Sequence, residues 1–347
     1  MRAILKRAAE PGLVLEEVPR PEITADEVLV RVRMAGICGT DVHIHHWNDW
    51  AQGRIKTPRI LGHEFVGEVV EIGKRVSGVT AGSLVTAEGH FSCGNCTLCR
   101  TGNAHVCPQT QILGVDTDGA FAEYVRVPAT NLWPIPEGIP LEWAAIHDPL
   151  GNAFHVVLTA DVGGKTVLVT GCGPIGLFAI GVARAAGASR VFATEVDPQR
   201  SKMALGEGAD RVIDPRTEDV RKIIQDETRG EGVHVVLEMS GNPEALRQGL
   251  RVVRNGGRVQ WLGLPENSVS LDLTRDVIFK GLTIYGVTGR LMYDTWYAMR
   301  NFLLGRRYDP SGVITNRVPM ERFEEGFTTA AAGQSGKVII DVSGSNT

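Results

Sequence analysis

From residue 1 to about 150 the apolar residues fall in short runs separated by glycine and proline. Examples are Glu27–Met34, Phe65–Ile72, Ser83–Ala87 and Phe121–Val127. Runs of this length without 3.6-residue spacing predict strands, and helical periodicity is scarce, so the segment reads as an irregular β-rich domain. Beyond residue 151 the texture changes. Thr166–Thr170, Arg190–Thr194, Arg211–Ile213, Val233–Glu238, Arg258–Leu262 and Thr283–Tyr285 are short strand-like runs. Between the first five lie helix-compatible segments, Ile175–Ala186, Pro198–Gly206, Arg216–Thr228 and Pro243–Arg254. Alternation of this kind needs crossover connections, and it predicts a six-stranded, doubly wound parallel sheet with helices on both faces. After about 290 an amphipathic helix (Tyr293–Leu304) and a last strand-like run (Lys337–Val342) predict a tail that returns to the first domain. The expected organisation is 1–150, 151–290 and 291–347.

Length supports the division, because 347 residues exceed what one hydrophobic core accommodates. Lys and Arg number 36 against 40 Asp and Glu, so no overall basic surplus exists to neutralise phosphates, and nucleic acid is not an expected partner. Thr166–Ala183 carries no charge over 18 residues. Its glycines and Pro174 divide it into strand, turn and buried helix, so no membrane span is expected. Lys6 and Arg7 interrupt the N-terminal apolar run too early for a signal-peptide core, which predicts a cytoplasmic chain. In a reducing compartment the six cysteines favour metal binding over disulfides.

Four of them, Cys93, Cys96, Cys99 and Cys107, lie within fifteen residues. Four thiolates on short loops close a tetrahedral shell and leave no open position, which defines a structural zinc site. Cys38, His63 and Glu64 come from two separate turns and offer a thiolate, an imidazole and a carboxylate. Such a set suits a zinc with one exchangeable position. On spacing alone, Cys38 is equally a small buried apolar residue and His63 a polar loop residue. Gly171-Cys172-Gly173-Pro174-Ile175-Gly176 follows an apolar strand and opens a helix, and Glu195 ends the next strand 19 residues after Gly176. Glycines there admit a pyrophosphate to a positive helix end, and the carboxylate accepts from ribose hydroxyls while repelling a 2′-phosphate, which favours NAD over NADP. Cys172 reads as a small residue filling that turn.

Gly62-His63-Glu64-x-x-Gly67-x5-Gly73-x-x-Val76 together with the four-cysteine segment resembles the zinc-containing alcohol dehydrogenases of the medium-chain family. Cys38-Gly39-Thr40-Asp41-Val42-His43, Asp148-Pro149-Leu150-Gly151-Asn152-Ala153, Glu238-Met239-Ser240-Gly241 and Ser335-Gly336-Lys337-Val338-Ile339 resemble the branch that oxidises L-threonine at its 3-hydroxyl. The resemblance runs over essentially the whole chain. It implies a GroES-like β-rich catalytic domain joined to a Rossmann domain, with two zinc ions per chain and NAD⁺.

Residue by residue, the resemblance implies a catalytic zinc on Cys38, His63 and Glu64. Asp148 competes for the third position, and alternation along an extended segment argues mildly against adjacent His63 and Glu64 both facing the metal; Glu64 is expected as ligand and Asp148 as proton relay or transient ligand. Thr40 and His43 are expected to move the proton, and His90 to line the substrate pocket. The cofactor residues are expected to be Gly171, Gly173, Ile175 and Gly176 at the pyrophosphate, Glu195 and Arg200 at the adenosine end, and Leu262, Gly263, Leu264, Gly286 and Val287 along the nicotinamide half. The implied reaction takes L-threonine to L-2-amino-3-oxobutanoate, on the way to glycine, in a homotetramer. The alternative within the family is a sorbitol- or butanediol-type dehydrogenase.

Overall fold

The computed structural model describes residues 1–344, which form two compact units: Met1–Pro149 with the segment from Ile314 onward, and Leu150–Val313. The first unit begins with β1 (Arg2–Lys6), β2 (Val14–Glu17) and β3 (Glu27–Gly36). Next come α1 (Gly39–His46), α2 (Asp49–Arg54), β4 (Arg59–Ile60), β5 (Glu64–Ile72), β6 (Leu84–Ala87) and β7 (His90–Phe91). A lobe with α3 (Thr97–Arg100) leads to β8 (Gln111–Ile112), β9 (Tyr124–Pro128) and β10 (Leu132–Pro134), and then to α4 (Leu141–Ala145) and α5 (His147–Ala160), whose first turn carries Asp148. In β3, Val28, Val30 and Val32 share one face and are buried, while Arg31 between the last two is exposed. These valines join Phe65, Val69, Val85, Phe121 and Val125 in one apolar core, as expected for strands whose shared face is covered.

The second unit alternates β11 (Thr166–Thr170), α6 (Pro174–Ala185), β12 (Arg190–Thr194), α7 (Pro198–Gly206), β13 (Arg211–Ile213), α8 (Val220–Glu227), β14 (Val233–Glu238), α9 (Pro243–Val252), β15 (Val253–Trp261) and β16 (Thr283–Gly286), followed by α10 (Asp294–Leu304). All six strands are parallel, in the order β13-β12-β11-β14-β15-β16. Between β11 and β14 the winding changes direction, and a crevice opens outside the carboxyl ends of the strands at such a point. The strand-to-helix turns are set by capping. Asp197, Asp219 and Asn242 each accept a first-turn N–H, so α8 begins at Val220 rather than at the expected Arg216. Arg216, in the turn ahead of that cap, forms an ion pair with Asp214 at 2.7 Å.

Residues 291–313 do not belong to the returning tail, because they pack within the second unit. Trp296, Met299 and Leu303 of α10 are buried, Phe302 meets Phe154 edge-on, and the Tyr308 hydroxyl donates to Glu207 at 2.6 Å. The return begins at Ile314 with β17 (Ile314–Pro319), α11 (Phe323–Ala331) and β18 (Lys337–Asp341). β18 pairs antiparallel with β3, and the larger sheet of the first unit runs β10-β6-β5-β3-β18-β17 with β9 also on β3. Among the described residues no helix is long and apolar enough to cross a membrane.

Candidate active site

Sheet register builds the centre of the first unit. Gly36 near the end of β3 faces Glu64 of β5 on one side and Ile339 of β18 on the other. A Cβ at position 36 would overlap the Glu64 carboxylate and lie 3.1 Å from Lys337 Cε. Glycine therefore makes the space in which Lys337 Nζ donates to Glu64 Oε1 at 2.6 Å and to the Ile37 carbonyl at 2.7 Å. Both side chains are buried, at 3% and 0% exposure. Burial pushes the Glu64 carboxyl up, opposed by the Lys337 charge. Lys337 itself is held above its usual range by Glu64, against the effect of burial.

Cys38, His63 and Glu64 bring one donor atom each within 4.8 Å of one another. Gly62 has φ +90°, so the chain bends immediately before β5 and adjacent His63 and Glu64 reach the same centre. That bend removes the alternation argument against Glu64. Asp148 lies in a neighbouring group, with Glu88 and His90, whose donor atoms also fall within 4.8 Å of each other. His90 Nδ1 and backbone N approach Glu88 Oε1 at 2.8 and 3.1 Å, and Asn131 Nδ2 donates to the carbonyls of residues 88 and 90.

Cys38 is the N-cap of α1, and Asp41 closes the first turn by accepting from Cys38 N at 2.9 Å. The other Asp41 oxygen is 3.9 Å from His63 Nδ1, inside a fully buried environment. Burial raises the Asp41 carboxyl, with His63 opposing. Burial disfavours charge on His63, but Cys38 and Asp41 outweigh it and hold the imidazole well above its usual range. On α1, Thr40 and His43 are three residues apart and share a face. His43 is exposed, and Asn48 Nδ2 donates to its Nδ1 at 3.0 Å, which leaves the ring proton on Nε2. Asp41, Lys337, Glu88 and Asn48 were not assigned roles by pattern reading. The capping-box spacing Cys38-x-x-Asp41 was the one usable sequence signal among them.

The four lobe sulfurs stand 3.5–3.9 Å apart along four of their edges. A tetrahedral zinc with Zn–S near 2.3 Å sets sulfurs about 3.8 Å apart, so the cluster has the size of that shell. Sharing of sulfur and backbone hydrogen bonds splits the thiols, with Cys107 pushed down to about 6 and Cys99 pushed up by burial to about 11.

In the second unit Gly171 has φ +83°, and a Cβ there would lie 2.7 Å from that of Ser240. Gly176 packs against the Gly171 carbonyl, whereas a Cβ on Gly173 would meet nothing within 4 Å. Gly173 caps α6 without a side-chain bond and Pro174 follows, so the helix end is open to an anion. Ile175 lies in the first turn of α6. Glu195 is buried and accepts from Cys172 N at 2.8 Å through Oε2, and from Val196 and Asp197 N through Oε1. Acceptor capacity for a ribose hydroxyl therefore remains on Oε2. Arg200 sits in the α7 first turn that Asp197 caps. At the later strand ends, Leu262 and Gly263 donate to the Glu238 carbonyl, Leu264 is 89% exposed, Gly286 is open, and Val287 N bonds the Trp261 carbonyl. These residues line the carboxyl ends of adjacent strands, where a dinucleotide fits.

The family model of the alcohol dehydrogenase GroES-like domain matches residues 24–137, and that of the zinc-binding dehydrogenase matches 174–305. The chain belongs to the zinc-containing medium-chain alcohol dehydrogenases. Within this family the chain is 51% identical over 341 residues, 98% of each sequence, to an L-threonine 3-dehydrogenase of Caldanaerobacter subterraneus. It is 48% identical over 98% of each to one from Pyrococcus horikoshii. Among solved structures, an alcohol dehydrogenase from Thermus sp. ATN1 superposes with TM-score 0.90 at 31% identity, covering 99% of this chain and 100% of that one. The 2R,3R-butanediol dehydrogenase of Bacillus subtilis gives 0.89 at 27%, covering 98% and 99%.

Proposed function

We propose that this medium-chain dehydrogenase oxidises L-threonine to L-2-amino-3-oxobutanoate with NAD⁺. The reading is carried by the joint presence of the Cys38–His63–Glu64 cluster and 51% identity along 98% of the chain to an L-threonine 3-dehydrogenase. Cys38, His63 and Glu64 would hold the catalytic zinc, and Cys93, Cys96, Cys99 and Cys107 the structural one. Zinc in the first site supplies Lewis acidity toward the substrate hydroxyl, the largest barrier to oxidation at neutral pH.

The chain's own groups do the rest. The Asp41 carboxylate favours positive charge on His63 across 3.9 Å, and Lys337 balances the charge of Glu64. Thr40 takes the hydroxyl proton as its own passes toward His43 on the same face of α1, His43 receives it on Nδ1 once the Asn48 bond to that nitrogen opens, and its exposure lets solvent remove it. Asp148, beside Glu88 and His90, offers a second acid–base station. In the second unit Gly171, Gly173, Ile175 and Gly176 receive the pyrophosphate, Glu195 and Arg200 the adenosine end, and Leu262, Gly263, Leu264, Gly286 and Val287 the nicotinamide half. NAD⁺ bound there supplies the hydride acceptor.

A panel of L-threonine, sorbitol and 2,3-butanediol with NAD⁺ tests the reading. The highest kcat/KM is expected on L-threonine; a preference for either other alcohol would replace it with the polyol or diol reading. A preference for NADP⁺ would count against Glu195.

The proposed homotetramer is supported by an open sheet edge. All four residues of β16 are exposed, the apolar Ile284 and Tyr285 among them, and Leu273, Ile278 and Phe279 earlier in the chain are exposed apolar residues as well. Unpaired edge strands with apolar flanks recruit a second chain. Light scattering should give four chains for the parent and fewer for Phe279→Glu. The four metal-binding thiols suit a reducing cytoplasm.

A further inference from the structure

Glu238 closes β14 and is 1% exposed, yet among the described residues no cationic side chain pairs with it. Its carboxylate is held by neutral donors alone. Oε1 accepts from Ser240 N at 2.9 Å, Ser240 Oγ at 2.5 Å, Gly241 N at 3.2 Å and Thr170 Oγ1 at 3.3 Å. Burying an ionised carboxylate without a counter-charge is costly, and it is tolerated where several oriented donors converge on it.

These donors come from two strand ends, and a third is tied in by packing. Thr170 ends β11 and immediately precedes Gly171. Ser240 and Gly241 form the turn from β14 into α9, and the Ser240 hydroxyl also accepts from Asn242 N at 3.0 Å. At the end of β15, a Cβ on Gly263 would overlap Glu238 Oε2 and Gly241 N, so glycine lets that strand approach the carboxylate. Ser240 in turn occupies the space a side chain at Gly171 would need. The Glu238 carboxylate thus joins the glycine turn after β11 to the strand end that carries Leu262–Leu264.

We propose that Glu238 is a positioning residue for the cofactor: its bonds lock the Ser240–Gly241 turn against Gly171 and Gly263, and so fix the crevice that receives NAD⁺. The inference rests on the reading of Gly171–Gly176 as the pyrophosphate turn. It assigns a task to the Glu238-Met239-Ser240-Gly241 motif, which neither the zinc chemistry nor the direct cofactor contacts use.

Glu238→Gln removes the charge and sets an amide N–H against the Gly241 N–H while keeping the shape. Calorimetric titration of the zinc-loaded enzyme should show NAD⁺ binding about tenfold weaker, the effect of losing charge-assisted bonds. kcat at saturating NAD⁺ and KM for L-threonine should stay within about twofold, a split that a general packing defect does not produce. Ser240→Ala should weaken NAD⁺ similarly, and the double variant should be no weaker than the worse single one, because both remove one linkage. Thr170→Val, a near-isosteric change, carries the same test if Glu238→Gln does not fold. Parent-like NAD⁺ affinity in the folded variants, or a loss of thermal stability without a change in NAD⁺ affinity, would overturn the proposal while leaving the cofactor reading intact. Failure of the parent to bind NAD⁺ would overturn both.

Discussion

Lys337 and Glu64 form an ion pair almost wholly shielded from solvent, although 273 residues separate them in the chain. Removing the cation leaves a buried carboxylate uncompensated. Lys337→Met should therefore destabilise the protein by about 3–5 kcal/mol in urea denaturation. The Lys337→Met/Glu64→Gln double variant should recover part of that loss. Additive losses would mean that the pair is not the unit of stability.

At the neighbouring metal cluster, Cys38→Ser should remove one zinc per chain and lower turnover on the order of 10³-fold or more, since Lewis acidity is the dominant contribution. The fold should persist by circular dichroism. Metal analysis with turnover decides: activity retained after loss of one zinc would refute a catalytic metal on Cys38.

The lobe should respond differently. Cys107→Ser is expected to lose the other zinc and lower the melting temperature, with the Cys38 site still loaded. A zinc held by the four sulfurs would bind them as thiolates, so protons would compete with the metal. With Cys107 pushed down to about 6 and Cys99 up to about 11, zinc release to a chromogenic chelator should steepen as pH falls toward 6 and below. Release that does not vary with pH would contradict thiolate ligation.

Proton removal through α1 makes a separate claim. Thr40→Val should lower kcat by about 10²-fold and leave the affinity for NAD⁺ unchanged. Asn48→Ala frees the His43 tautomer without removing the base, so a smaller loss is expected. Equal effects of the two substitutions would argue that α1 is disrupted as a whole.

Glu207 gives a pH dependence of stability remote from any chemistry. Burial pushes its carboxyl up to about 7, with the Tyr308 hydroxyl bond opposing. The folded state then binds a proton more tightly than the unfolded chain, whose carboxyl has an ordinary value near 4.3. Stability should therefore fall as pH rises from about 4.3 through 7. Glu207→Gln should flatten the melting-temperature profile over that window, and an unchanged slope would assign it to other groups.

Much of this was legible in the chain. Pro198–Gly206, Thr166–Thr170 and Val233–Glu238 occupy the ranges that their periodicity predicts, because each is bounded by a local signal. Proline starts α7 after an Asp cap, and glycine turns follow the strands. At α8 the boundary moved, where Asp219 caps the helix and Arg216 pairs with Asp214 ahead of it. The four lobe cysteines were equally readable, since all four thiols lie on one short segment.

The sequence by itself therefore determined the alternating strands and helices, the glycine turn, the four-thiol lobe and the likeness to zinc dehydrogenases, because these depend on neighbours along the chain. Tertiary structure alone decided that Glu64 and His63 face one centre, through the bend at Gly62. Pairing of β3 with both β5 and β18 decided that Lys337 balances Glu64 in the space left by Gly36. It also decided that the return begins at Ile314 and that Asp148 groups with Glu88 and His90. Each of these depends on sheet register and on which buried charge finds which partner, and register joins residues that spacing along the chain does not relate.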